Sequence, residues 1–226
     1  MQIEFQSREL TIKLVYYGPA LSGKTTNLQA LHQLLDQRSR GRMMNLETQD
    51  DRTLFFDLLP LSFETKAGLQ VRLRLFTVPG QAMHDATRRL VLQGVDGVAF
   101  IADSQLSETR ANQQSFANLQ HNLKDNGFDC QRVPLVIQFN KRDLPNIRSE
   151  EEIRKWAAQG REPVFSAIAT RGIGVLETFL GLLDTTLKRL ETDHRLQDRF
   201  GLERATALNA VRARFNPPKQ DTGNEW

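Results

Sequence analysis

The sequence predicts an α/β fold, a mostly parallel sheet with helices on both faces. Three observations carry this. From residue 95 onward, short apolar runs alternate with helical segments, a rhythm that gives parallel strands joined by crossover helices. Ahead of that rhythm, two strand-like runs are joined by a turn too short for a crossover, which makes them an antiparallel hairpin. A glycine-containing loop separates the first strong strand from the first helix.

Each element has its own warrant. Leu10-Thr11-Ile12-Lys13-Leu14-Val15-Tyr16-Tyr17 is rich in β-branched and aromatic residues and reads as a strand. From about Thr25 to Asp36, Leu28, Leu31 and Leu35 share one helical face. Arg38 to Asp51 is polar, contains Gly41 and reads as a loop. Leu54 to Phe63 is the next strand, and Pro60 predicts an edge position because proline cannot donate to a ladder. Glu64 to Gly68 is a turn, and Val71 to Phe76 alternates as the second hairpin strand. Val95 to Ala102, Val133 to Phe139 and Pro163 to Phe165 are short strands, with a helix over about Ser107 to Asn126. Ser149 followed by Glu152 predicts a capping box at the next helix start. Leu176, Phe179, Leu180, Leu183, Leu187 and Leu190 form the stripe of a last core helix.

Composition excludes several classes. The 226 residues, against about 150 for a typical domain, predict one domain with an extension. The chain is 39% hydrophobic and 25% charged, which fits a globular protein and not a disordered one. No apolar run reaches the ~18 residues of a membrane span, and the N-terminus lacks the basic start and apolar core of a signal peptide. A single cysteine, Cys130, excludes an internal disulfide framework and a cysteine-rich metal site, and fits a reducing cytoplasm. The net charge of +3 is too small to predict nucleic acid as the partner.

Gly18-Pro19-Ala20-Leu21-Ser22-Gly23-Lys24-Thr25 matches G-x-x-x-x-G-K-[ST] at every fixed position, between a strand and a helix. The stretch resembles the phosphate loop of P-loop NTPases and predicts a nucleotide triphosphate site. Its glycines let backbone N–H groups turn toward phosphate oxygens, and the helix start adds its positive dipole end. Lys24 would reach the β- and γ-phosphates, and the Thr25 hydroxyl would hold Mg²⁺.

Asn140-Lys141-Arg142-Asp143 follows directly on the strand ending at Phe139, at the carboxyl edge where doubly wound sheets bind ligands. A carboxylate there accepts two hydrogen bonds from guanine N1–H and N2–H, a donor pair adenine lacks. Asp143 is therefore the predicted base reader. Asn140 would brace the loop and meet the base edge, and the Lys141 stem would cover its flat face. Ser166-Ala167 is predicted to supply a backbone N–H to the guanine oxygen.

Gly18 to Thr25, Asn140 to Asp143 and Ser166-Ala167 resemble the first, fourth and fifth motifs of Ras-like small GTPases. The likeness is closer still to the bacterial MglA-type group. Tyr16-Tyr17-Gly18-Pro19 leading to Gly23-Lys24-Thr25-Thr26-Asn27-Leu28 resembles that group's phosphate loop. Asp51-Arg52-Thr53-Leu54-Phe55-Phe56-Asp57 and Thr77-Val78-Pro79-Gly80-Gln81 resemble its two switch regions. The resemblance covers roughly residues 8–193. It implies a six-stranded α/β fold with one antiparallel edge strand, binding of GTP and GDP with Mg²⁺, and a molecular switch.

The resemblance also implies roles. Thr53 would join Mg²⁺ when a γ-phosphate is present, the Gly80 N–H would touch that phosphate, Gln81 would position the attacking water, and Arg52 would act as an arginine finger from the same chain. Thr77 departs from the wider superfamily, which has an aspartate there, so support for the metal must come from elsewhere. The group's partners imply a roadblock/longin-type activating dimer, unidentified effectors, and a role in bacterial cell polarity or motility, with recruitment to one pole. Two other readings stand beside this one: a nucleotide-loaded scaffold with little hydrolysis, and a P-loop ATPase.

The domain organisation read here is a Ras-like domain over 1–193 and an extension over 194–226. Leu202 to Phe215 predicts a helix with Leu208, Val211 and Phe215 on one side, Gly201 marking the break before it. That face either packs on the domain or meets a partner. Asn216-Pro217-Pro218 ends the helix, and the residues through Trp226 are expected to be disordered. The chain ends without a prenylation box and Met1 is not followed by glycine, so no lipid anchor is expected.

Overall fold

The computed structural model describes residues 1–36, 43–46, 56–65, 68–80 and 85–216. Among the described residues, eight strands and seven α-helices follow one another: β1 (Gln2–Glu4), β2 (Glu9–Tyr17), α1 (Lys24–Leu34), β3 (Met44–Leu46), β4 (Phe56–Glu64), β5 (Gln70–Thr77), α2 (Asp85–Leu92), β6 (Gly97–Asp103), α3 (Thr109–Asp125), β7 (Leu135–Asn140), α4 (Glu150–Gln159), β8 (Val164–Ser166), α5 (Val175–His194), α6 (Leu196–Phe200) and α7 (Arg204–Arg212). The sheet runs β3-β4-β5-β2-β6-β7-β8. From β5 to β8 all neighbours are parallel, while β3, β4 and β5 pair antiparallel.

The expected architecture holds, with two strands more than the six expected. β1 pairs antiparallel with the first half of β2, from Gln2↔Thr11 to Glu4↔Glu9, and β6 takes over the same edge from Leu14 on. β3 lies within the stretch read as loop, and it displaces β4 from the edge. Pro60 is tolerated because β3 reaches only Phe56 to Leu58, leaving that flank of Pro60 without a partner strand among the described residues. A further helix, α2, stands where the sequence pattern assigns no element.

β2 explains why its sequence is apolar almost throughout. Leu10, Ile12, Leu14 and Tyr16 face one core with α1 and α5, whereas Val15 and Tyr17 face a second core with α2, α3 and α4. A strand covered on both sides has no solvated face to keep polar. The capping box at Ser149 forms as expected, Glu152 N–H donating to Ser149 Oγ and Ser149 N–H to the Glu152 carboxylate.

Beyond α5 the chain turns twice, at Arg195 (φ +53°) and Gly201 (φ +63°), and folds back. Leu196, Leu202, Ala207, Val211 and Phe215 join the core shared by α1 and α5. The predicted helix is shorter than expected and Phe215 lies beyond it. Phe215 instead forms a β-bridge with Leu35, the Asp36 N–H donates to the Arg214 carbonyl, and the Asn216 N–H donates to the Leu34 carbonyl, each at 2.8 Å. This segment is stitched to the end of α1. The residues expected to be disordered, 217–226, lie outside the described residues.

Candidate functional site

The parallel strands end on one side of the sheet, and three loops meet there. The first is Gly18 to Gly23. Gly18 has φ +152°, and a β-carbon on it would overlap the Ile101 carbonyl of β6. Gly23 has φ +95°, and a β-carbon there would overlap the Asn140 side-chain amide. Both positions demand glycine. Gly23 caps α1 without a side-chain bond, and no acidic residue occupies the first turn. The start of α1 thus keeps the partial positive charge of its first-turn amides, which suits an anion. Between the glycines, Leu21 (φ +61°) is 89% exposed and the Ser22 hydroxyl is buried with no hydrogen-bond partner among the described residues.

Lys24 is buried beneath this loop. Its Nζ donates to the carbonyls of Gly18 at 3.0 Å and Pro19 at 2.6 Å. Burial, with a further contribution from the charge of Arg88, lowers its pKa to about 8. Such an ammonium is poorly hydrated and gains strongly from an added anion. Thr25 is exposed on the first turn of α1, with Thr26 half-buried beside it.

The second loop follows β7. Asn140, 2% exposed, donates its amide to the Ser22 carbonyl at 2.9 Å and accepts the Ala169 N–H at 3.0 Å. One side chain therefore joins the phosphate loop to the loop after β8. Two residues earlier on the same face, Gln138 donates to Asn27, and Asn27 donates to the Gly23 carbonyl at 2.9 Å. Lys141 takes a left-handed backbone (φ +66°) and its Nζ pairs with the buried Asp103 carboxylate at 2.5 Å. Asp143 is exposed and has no hydrogen-bond or ion-pair partner among the described residues.

The third loop corrects an expectation. The Ala167 N–H is not available to a base, because it donates to the Phe139 carbonyl at 2.9 Å and extends the pairing of β7 with β8. The Ser166 hydroxyl points instead to Glu150, at 3.3 Å. The stretch beside Asn140 is the turn at Ala169–Arg171.

On the other flank, Thr77 ends β5 and is buried. Gly80 lies against the phosphate loop so closely that a β-carbon on it would overlap the Ala20 backbone. Arg52, Thr53 and Gln81 lie outside the described residues. No group of three or more His, Cys, Asp or Glu gathers to hold a metal among the described residues.

Sequence reasoning missed Asp103, Gln138 and Asn27, whose roles arise from packing between strands and helix. It also missed a polar cluster on α2 and α3. Arg88, 5% exposed, donates to Asp85 at 3.0 Å and to Asn118 at 2.9 Å, and Asn118 and Asn122 both donate to Asp85. The Tyr17 hydroxyl joins at Asn118. Residues 118 and 122 are one helical turn apart, the only cue the sequence offered.

A model of the ADP-ribosylation factor family matches residues 2–182. The chain is 47% identical over 189 residues to the mutual gliding-motility protein MglA of Myxococcus xanthus, covering 84% of this chain and 97% of that protein. It is 27% identical over 188 residues to the Ras-related protein Rab-27B of Homo sapiens, covering 80% and 81%. The bovine Rab-27B matches at 26% over 187 residues. With a phosphate loop between β2 and α1 and a guanine-type motif ending β7, the chain belongs to the ADP-ribosylation factor family and is a Ras-like small GTPase of the MglA type.

Proposed function

We propose that this GTPase binds GTP and GDP with Mg²⁺ across the three loops, and that it switches partners according to which it holds. The observation that supports this best is the Asn140 side chain, which ties a lysine-bearing phosphate loop to the loop carrying Asp143. Gly18, Pro19, Ala20, Leu21, Ser22 and Gly23 wrap the phosphates, Lys24 meets the β- and γ-phosphates, and Thr26 closes the cradle. Asp143 reads the guanine edge, and Lys141 covers its face, its ammonium held by Asp103. The Gly80 amide meets the γ-phosphate.

A hydroxyl at the first turn of α1 suits Mg²⁺, which prefers hard oxygen ligands and takes most of its shell from phosphates and water. Thr25 would hold it, joined by Thr53, and the ion would neutralise phosphate charge. The water that attacks the γ-phosphate is positioned by Gln81, and Arg52 stabilises the charge on the transferred group. Hydrolysis at a useful rate takes a roadblock/longin-type activating protein that rearranges these two residues.

By likeness to the gliding-motility relative, the output is control of cell polarity or motility. The protein acts in the cytoplasm and is recruited to a cell pole. No described helix is long and apolar enough to cross a membrane. Single-turnover GTP hydrolysis with and without a roadblock/longin-type protein tests this reading. Acceleration of at least ~100-fold by the activator is expected. No phosphate release under either condition would leave only a nucleotide-loaded scaffold.

A further inference from the structure

The buried cation that this reading leaves unused is Arg88. Its side chain, 6% exposed, stands behind the phosphate loop on α2 and, among the described residues, is gripped from three directions. Asp85 takes one terminal nitrogen at 3.0 Å, the Asn118 carbonyl takes Nε at 2.9 Å, and the Pro79 carbonyl lies 3.4 Å from the other terminal nitrogen. A guanidinium presents its donors as a rigid planar fork, whereas the three donors of an ammonium are rotatable and do not reproduce those directions.

The grip is itself anchored. Desolvation pushes the Asp85 carboxyl up, but hydrogen bonds from Asn118, Asn122 and Arg88, with the Arg88 charge, outweigh it and lower its pKa to about 2. Asp85 is therefore ionised throughout the neutral range. Asn118 and Asn122 belong to α3, which is fixed to the sheet, so α3 is the fixed wall and Pro79 is what Arg88 restrains. The next residue, Gly80, rests on Ala20. Beside them lies a cavity of about 390 Å³ lined by Pro19, Ala20, Gly80, Arg88 and Asn118. Without the guanidinium, the Pro79–Gly80 segment has room to leave the phosphate loop.

We propose that Arg88 is a positioning residue for the third phosphate: clamped by Asp85 and Asn118, it holds Pro79 so that the Gly80 amide is presented to a nucleoside triphosphate. A diphosphate does not reach that amide. This rests on the nucleotide site proposed above. Arg88 touches neither nucleotide, and it sets the preference between them.

The test measures the dissociation constants of GDP and of a non-hydrolysable GTP analogue for the full chain in one Mg²⁺ buffer. In Arg88→Gln, affinity for the GTP analogue is expected to fall ~10-fold or more, as for loss of a charge-assisted bond, while GDP affinity moves less than ~2-fold. Arg88→Lys keeps the charge and loses the fork, and is expected to resemble Arg88→Gln. Equal weakening of both nucleotides, no change in either, or full recovery in Arg88→Lys would overturn the proposal. Should Arg88→Gln fail to fold, the isosteric Asp85→Asn carries the same comparison and the same expected ratio. A wild-type chain that binds neither nucleotide would defeat the site itself. A wild-type chain that binds both, with an unmoved ratio in the variants, would defeat only the role of Arg88.

Discussion

The side-chain amide of Asn140 and the carbonyl of Ser22, 118 positions apart in sequence, are joined at 2.9 Å. The other end of that side chain accepts the Ala169 N–H. Three loops from three strands are thereby one rigid unit, and neither the phosphate end nor the base end can shift alone.

Asn140→Ala removes both bonds and leaves a buried carbonyl and a buried N–H without partners. A stability loss of about 2 kcal/mol is expected in urea denaturation. Release of GDP should accelerate in stopped-flow measurements, because the loops are no longer held together.

Gly23→Ala imposes a β-carbon at φ +95° that overlaps the Asn140 amide. The expected cost is about 1–3 kcal/mol, from backbone strain and displacement of Asn140. Nucleotide affinity falls with it, and a retained wild-type GDP affinity would contradict the fitted geometry of this loop.

Lys24 carries a pH dependence with a definite sign. Its folded-state pKa is lowered to about 8, whereas the unfolded chain holds the ordinary value of 10.5. Between these values the unfolded state binds more protons, so stability rises with pH across that window, and below about 8 the full cost of burying the charge remains. Lys24→Met is expected to raise the Tm of the nucleotide-free protein at pH 7, to flatten the rise above pH 8, and to abolish nucleotide binding. Calorimetric melts from pH 7 to 10 check this.

Phe215→Ala removes a core ring that packs on Phe179 at 5.7 Å between centroids and forms the bridge with Leu35. A loss of about 3–5 kcal/mol is expected. Hydrogen exchange should quicken at the Asp36 and Asn216 amides, which bond across this junction.

How much was legible in the sequence follows from how local each constraint is. The phosphate loop could be read because its glycines, lysine and threonine must stand at fixed spacing. The capping box at Ser149 is local too. The fifth-motif pair misled because the availability of the Ala167 amide is decided by the Phe139 carbonyl on a neighbouring strand. β1 and β3 are three residues each, too short for an alternation to register. Pro60 pointed to a ladder partner that is missing among the described residues, yet a strand that stops short of it satisfies the same chemistry as an edge. Asp103 and Arg88 look like ordinary charges until the fold buries them. Arg52, Thr53 and Gln81, legible only through family likeness, lie outside the described residues.

Discrimination between purines tests the central claim most directly. The purified chain, loaded with a fluorescent GDP in Mg²⁺ buffer, is titrated with GTP and with ATP. GTP is expected to displace the probe stoichiometrically, while ATP leaves it bound at ~1,000-fold excess. In Asp143→Asn, xanthosine diphosphate should compete where guanosine diphosphate no longer does. Displacement by ATP as readily as by GTP, with Asp143→Asn indistinguishable from the wild type, would contradict the account.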